Sequence, residues 1–273
     1  MASGGVDRGE GSPPWFPADL PHVLTVGAIR ADLAPTDFSS RSAMLDVMAP
    51  GWRVLTARPA SLDPNGDGFT LVSGTGIAAA ITAAAVAWVR AARPGLDAGQ
   101  VAGVIRGGAF DAGSPGRDDD TGDGVVSIPG ALAAPVPPRD PAEPNDDIGQ
   151  VDGTLLGHRG APLRTGRTIR AGLDFAEDPV DVYRLALPPG TRVHIRLEPR
   201  AGDPDLIVFG PNARTVSSGR QLARSRRHGR ETDGVTLRNR RSVTRHVYVG
   251  VGFTKRAATR ARYALSVRQQ SVP

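Results

Sequence analysis

Ser73-Gly74-Thr75-Gly76-Ile77-Ala78-Ala79-Ala80 decides how the first half of this chain is read. Two glycines and two hydroxyl residues lead directly into residues 77–89, which are apolar apart from Thr82. Small residues ahead of an alanine-rich run mark a strand-to-helix junction packed closely on a sheet. The run predicts a helix over residues 76–92, stopped by Arg93-Pro94-Gly95. Upstream, residues 23–29, 45–48, 54–57 and 69–72 predict short apolar strands. Downstream, Asp97 predicts the cap of a second helix running to about Gly107. Continuous apolar strands mixed with helices predict an α/β layer with a buried parallel sheet.

The period changes to two further on. In residues 191–198, Val193, Ile195 and Leu197 share one face, and Arg192, His194 and Arg196 the other. Residues 262–268 alternate in the same way, and 181–187, 206–209 and 243–251 add similar strands. Short alternating strands separated by turns predict an all-β antiparallel sandwich. Four prolines in residues 134–142 predict an extended linker. The expected domains are therefore 1–133, then the linker 134–142, then 143–273.

Composition narrows the functional classes. The chain has 273 residues, 40% hydrophobic and 22% charged, as an ordinary globular protein does. It has no cysteine, which excludes disulfides and thiolate metal sites. Lys255 is its one lysine, an arginine bias typical of a GC-rich coding sequence. Charge divides unevenly, −5 over residues 1–133 and +10 over 134–273. No basic n-region followed by an apolar h-region opens the chain, so no signal peptide is expected. The apolar run is shorter than the about 20 residues that a bilayer requires, so no membrane span is expected.

Five stretches, in order, resemble the C-terminal half of subtilisin-like serine peptidases. Residues 16–28 are similar to that family's PAxyxxVixVGA strand, and Asp37-Phe38-Ser39-Ser40 to its FSxxG turn. Residues 45–51 match vDvxAPG, Ser73-Gly74-Thr75 the start of SGTSMAxP, and residues 118–131 the closing GxGxVnaxxA. In that family a serine hydroxyl at the helix N-terminus attacks the carbonyl, a histidine is general base, and an aspartate orients it. By this resemblance the nucleophile position here is Gly76, the oxyanion-hole asparagine position is Gly5, and the proline following the serine is Ala80. The motifs bearing the family's Asp and His do not occur in these residues. Ser73, Thr75 and His22 are the local hydroxyls and imidazole; a hydroxyl without a base in reach is a weak nucleophile. The resemblance therefore implies an extracellular peptidase lineage with no catalytic residue in this chain.

Other patterns compete. Gly74-x-Gly76-x-x-Ala79 fits a relaxed dinucleotide fingerprint, but no acidic-ended strand follows it. Asp63-Pro64-Asn65-Gly66-Asp67-Gly68 has oxygens at alternate positions, yet position twelve of a calcium loop is Gly74. It and the acidic loop 118–123 are expected to be turns.

In the second half, Glu143-Pro144-Asn145-Asp146-Asp147, residues 178–190 and 202–208, and the closing residues 263–267 resemble the prepeptidase C-terminal domain, a β-sandwich appended to secreted peptidases. The resemblance implies no obligatory cofactor; some relatives hold calcium at sandwich edges, which makes Glu143, Asn145, Asp146, Asp181 and Asp203 candidate ligands, but Asx turns are the expectation for these residues. The basic segment from Arg220 to Arg230 lacks interleaved aromatics, so a solvated loop rather than a nucleic-acid site is expected. Three functional readings stand: an inactive peptidase homologue or fragment; part of a peptidase completed by an upstream half; or a surface-binding module carried by the β domain. The candidate partners are a peptide or protein ligand and an upstream peptidase half; no nucleic acid is expected.

Overall fold

The computed structural model describes residues 2–3, 16–18, 20–64, 66–140, 142–175, 177–253 and 260–270. The chain divides into two compact units, Met1–Arg139 and Asp140–Pro273.

The first unit is α/β. Strands β1 (Ala2–Ser3), β2 (Thr25–Ile29) and β3 (Val47–Pro50) form a parallel sheet in the order β1-β2-β3. Val26, Ala28, Val47 and Ala49 pack into one cluster with α1 (Thr75–Ala92), α2 (Ala98–Gly107) and Ala131 of α3 (Ile128–Ala133). Strands β4 (Val54–Ala57) and β5 (Phe69–Val72) form an antiparallel hairpin at the predicted positions. The strand expected at 45–48 starts two residues later. Asp46 instead bonds twice to Thr25, its carboxylate accepting from the Thr25 N–H at 2.8 Å and its own N–H donating to the Thr25 carbonyl at 3.1 Å.

Helix α1 buries Thr75, Ala78, Thr82, Ala85 and Val89, a stripe at three- and four-residue spacing. It extends beyond the thirteen-residue apolar run. Its 18 residues make it, among the described residues, the one helix long and apolar enough to cross a membrane by length and composition. The rise of about 27 Å falls short of a hydrocarbon core of about 30 Å. Among the described residues the opposite face stays open: Trp88 is 63% exposed, and Leu55, Phe69 and Leu71 of the hairpin are exposed too. Helix α2 begins at Asp97 in a capping box, Asp97 accepting from the Gln100 N–H and Gln100 from the Asp97 N–H.

The division between units falls inside the expected linker, because its first part is strapped down. The Arg93 guanidinium donates to the carbonyls of Ala131 and Ala134 at 3.1 and 3.2 Å, and the Gln100 amide to that of Pro137 at 3.0 Å. Arg139 pairs with Asp97 at 3.0 Å. A stretch rich in proline has carbonyls but few N–H groups to pair them with, and side-chain donors supply what is missing.

Where α2 ends and α3 begins, Gly108 and Gly130 touch backbone to backbone; a Cβ on Gly130 would lie 2.0 Å from the Gly108 carbonyl oxygen. Gly130→Ala should therefore destabilise the unit by about 1–3 kcal/mol through overpacking. Gly107→Ala, with nothing within 4 Å of its Cβ, should be neutral or stabilise by up to about 1 kcal/mol. Denaturant midpoints from tryptophan fluorescence check both; equal shifts would refute the close-contact argument.

The second unit is β-rich. After α4 (Ile148–Asp152) come β6 (Pro162–Leu163), β7 (Thr168–Asp174), β8 (Val180–Leu187), β9 (Arg192–Ala201) and β10 (Asp205–Phe209). Then follow β11 (Gln221–Ser225), β12 (Asp233–Arg238), β13 (Arg245–Gly252) and β14 (Arg260–Gln270). They build two sheets, β11-β10-β13-β8-β6 and β12-β9-β14-β7. Pairing is antiparallel except for β6 with β8. Alternate residues of both sheets, among them Tyr183, Leu185, Val249, Ile195, Leu197 and Leu265, meet in one apolar cluster. The basic segment expected as a loop contains β11, an edge strand on β10.

Candidate functional site

Motifs far apart in the first unit meet at the carboxyl end of its sheet. The Gly74 N–H donates to the Gly51 carbonyl at 2.9 Å, and the Gly51 N–H to that of Ile29 at 3.1 Å. The ends of β2 and β3 and the start of α1 are thereby joined, at the place where open α/β sheets bind ligands. Gly74 is the N-cap of α1 with φ 157° and ψ 154°, a conformation that side-chain-bearing residues rarely adopt. The Ser73 hydroxyl is engaged structurally, accepting from the Arg53 N–H at 2.9 Å. Thr75 is buried and Gly76 is exposed. A Cβ built on Gly76 meets nothing within 4 Å, so the missing side chain is not enforced by packing. Gly5 lies outside the described residues. His22 is an exposed turn residue with φ 61° just before β2.

The two acidic loops of this unit are turns, as expected. Asp63 accepts from the N–H groups of Gly66 and Gly68 at 3.0 and 2.7 Å. Asp118 accepts from those of Ser114, Asp120 and Thr121.

The second unit holds a different constellation. Carboxylate oxygens of Asp140, Glu143 and Asp181 lie within 4.8 Å of one another. Asn145, 1% exposed, donates its side-chain amide to Asp181 at 2.7 Å, while its own Oδ1 is buried without a partner. The Val182 N–H donates to the Asn145 carbonyl at 2.7 Å, which ties this segment to β8. The other oxygen of Asp181 accepts from the Tyr263 hydroxyl, which also contacts that of Tyr183 at 2.7 Å. Oδ2 of Asp140 and Oδ1 of Asp178 are likewise buried and unpartnered.

The electrostatics follow from that crowding. Burial raises Asp178 above the usual carboxylate range, and the charges of Asp181, Glu143, Asp146 and Asp140 raise it further. Burial raises Asp181 strongly, against the opposing hydrogen bonds from Tyr263 and Asn145. Asp140 is raised by burial, opposed by the Ala142 N–H and reinforced by Glu143. Tyr183 and Tyr263 are held protonated by burial and by the Asp181 charge. Asp140, Asp178 and Asp181 have no cationic partner among the described residues. A donor set of carboxylates and one amide oxygen, with orphaned oxygens inside it, fits a hard divalent cation of the calcium type. Of the expected ligands, Glu143 and Asp181 are in this group with Asn145 bonded to it; Asp146 and Asp203 are not in it. Sequence reasoning passed over Asp140 and Asp178. The closeness of Asp178 to Asp181, three residues apart across the start of β8, was the available signal.

Comparison with known proteins separates the units. The model of the Subtilase family matches residues 1–124. Fervidolysin of Fervidobacterium pennivorans is 30% identical over 137 residues, covering 45% of this chain and 20% of that protein. Mycosin-1 of Mycolicibacterium smegmatis is 31% identical over 130 residues, covering 46% and 28%. Subtilisin DY of Bacillus licheniformis is 35% identical over 86 residues, covering 32% and 29%. The chain thus spans less than a third of the length of these relatives. The crystal structure of a lanthipeptide protease aligns at 28% identity over 43% of each chain, with a TM-score of 0.40, too low to define a common fold. The first unit is therefore similar to the Subtilase family over residues 1–124.

Proposed function

We propose that this chain is a homologue of extracellular subtilisin-like endopeptidases that does not itself hydrolyse peptides. We further propose that its second unit is a calcium-binding sandwich of the prepeptidase C-terminal type. The observation that carries the first part is Gly76. The family's serine position stands open at the start of α1 with no side chain to attack a carbonyl. Returning a hydroxyl there restores only one component. The helix dipole slightly favours developing negative charge, but an unassisted serine hydroxyl is a weak nucleophile. Gly76→Ser should leave ester and anilide hydrolysis at background and should not react with a fluorophosphonate. Stoichiometric labelling of the introduced serine, lost on denaturation, would show that a base is supplied from within these residues and would overturn inactivity.

A second reading has its own support. The uncovered apolar face of α1 and of the β4–β5 hairpin is the surface that an N-terminal peptidase half would bury. Co-expression with the N-terminal half of a subtilase domain tests it. Co-purification at fixed stoichiometry favours this reading; separate elution counts against it.

A further inference from the structure

The outer face of the sheet β12-β9-β14-β7 carries a grid of arginines, most of which have no acidic partner among the described residues. On β9, Arg192, His194 and Arg196 point away from the core, since Val193, Ile195 and Leu197 point into it. The register sets Arg238 of β12 directly across from Arg192, and Arg268 of β14 directly across from His194. Arg170 of β7 and Arg262 of β14 extend the same face. Like charges placed opposite each other work against strand pairing. Arg192, Arg238, Arg268, Arg170 and Arg262 are all exposed, and none has an ion-pair partner among the described residues. Glu198 is shared between Arg196 at 3.1 Å and Arg200 at 2.8 Å, so it does not offset the others. Over β9, and reaching β12 on one side and β14 on the other, lies an open depression of about 430 Å³ lined by His194, Arg196, Arg227, Asp233 and Arg268. Its one carboxylate, Asp233, is fully buried and accepts at Oδ1 from the Ser225 hydroxyl and the Arg227 N–H, while its Oδ2 has no hydrogen-bond partner, so one negative charge stands against the four cationic or imidazole groups of the lining.

We infer that this face binds a linear anionic glycan, a polysaccharide bearing sulfates or carboxylates along its length. Three features set the ligand class. The cations are spread about 5 Å apart across strands and about 7 Å apart along them, which suits a chain of charges and not a single small anion. Arginine forms paired hydrogen bonds to planar carboxylate and tetrahedral sulfate oxygens alike. The described outer-face residues of the four strands include no Phe, Tyr or Trp, so the stacking platforms that hold single-stranded nucleic acid are missing.

The test uses the full chain, with heparin as the sulfated probe, polygalacturonate as the carboxylated probe and poly(dT) as a polyanion of the other class. Arg192→Ser/Arg238→Ser/Arg268→Ser is compared with Arg220→Ser/Arg226→Ser/Arg230→Ser, which removes equal charge from the exposed segment around β11. The face variant should weaken glycan binding by about 30-fold or more at moderate salt, and the slope of log K against log salt should fall by about two. The segment variant should stay within about threefold of the parent. Replacing the same three face residues with lysine should retain most of the binding. Equal losses in the two variants would mean that binding follows net charge alone and would overturn the assignment. So would poly(dT) binding more tightly than either glycan. Which glycan binds better separates sulfate from carboxylate as the preferred group.

Discussion

Calcium added after exhaustive chelation should raise the unfolding midpoint of the β-rich unit by about 10–15 °C at neutral pH, if the second unit binds the cation as proposed. The figure follows from linkage. An ion that binds only the folded state, at a hundred to a thousand times its Kd, stabilises by about 3–4 kcal/mol. Each kcal/mol moves the midpoint of a domain of this size by about 4 °C. The full chain can be used, because its chromophores separate the units. Trp15, Trp52 and Trp88 lie in the first, and Tyr183, Tyr248 and Tyr263 in the second. Tyr183 and Tyr263 belong to the network around Asp181, so tyrosine near-ultraviolet dichroism follows the site and tryptophan fluorescence serves as the internal control. Asp140→Asn gives the diagnostic pair of signs. The asparagine oxygen can still accept from the Ala142 N–H, bonded at 2.8 Å in the parent, but the charge is gone. The variant should be more stable than the parent in chelator and gain less from calcium. Superimposable melts with calcium and with chelator would remove the cation from the reading of this site.

The same site sets the pH dependence. Asp140, Asp178 and Asp181 all have folded-state pKa values above the usual 3.8. Without an ion, the folded unit therefore holds protons that the unfolded chain releases. Stability from this source is fully present below about pH 4 and is lost as pH rises toward the raised folded values. Calcium takes the place of those protons, so its stabilising effect should be small near pH 5 and largest near pH 8. A calcium effect that is flat with pH would show that Asp140 and Asp181 are not its ligands.

Local chemistry was legible in the chain; tertiary ties were not. The β4–β5 hairpin, the Asp97 cap and the alternating strands β9 and β14 were all readable, because each is specified by residues within one or two turns of one another. Strand β11 was hidden because Gln221–Ser225 sits among arginines, and an edge strand with exposed side chains has no burial pattern to announce it. The strapping of residues 134–139 was hidden because its donors, Arg93 and Gln100, lie about forty residues upstream. At the acidic site the Glu143-Pro144-Asn145-Asp146 segment could be singled out, but its meeting with Asp181 depends on a contact across 36 positions. At the peptidase-like site the motif order was readable. The physical link, Gly74 to Gly51 to Ile29, is made of backbone groups that carry no sequence signature.

Arg106→Ala should unfold the first unit or nearly so, with a loss of about 3–5 kcal/mol. The Arg106 side chain is 4% exposed and lies between two carboxylates, its Nε 2.7 Å from Asp123 and 3.5 Å from Asp46. Arg117 completes the group, 2.8 Å from Asp123 and 3.6 Å from Asp46, and also donates to the Ala43 carbonyl at 3.0 Å. Four charges from the start of β3, the end of α2 and the loop before α3 are thus balanced in a nearly dry setting. A buried pair can contribute little net stability compared with an apolar replacement, yet removing one partner leaves an uncompensated charge, which costs about 3–5 kcal/mol. Set against a domain stability of about 5–15 kcal/mol, that is most of the margin in a unit with so much apolar surface uncovered. Arg41→Ala is the matched control. Its pair with Asp120 at 3.3 Å has both side chains about half exposed, and exposed pairs contribute about 0–1 kcal/mol. Tryptophan fluorescence in denaturant should show the Arg106→Ala transition displaced far below the parent and the Arg41→Ala transition close to it. The tyrosine signal of the β-rich unit should be unchanged in both. Should the two variants unfold at the same midpoint, the network around Asp46 is not what holds the first unit together, and its stability must come from the helix–sheet cluster alone.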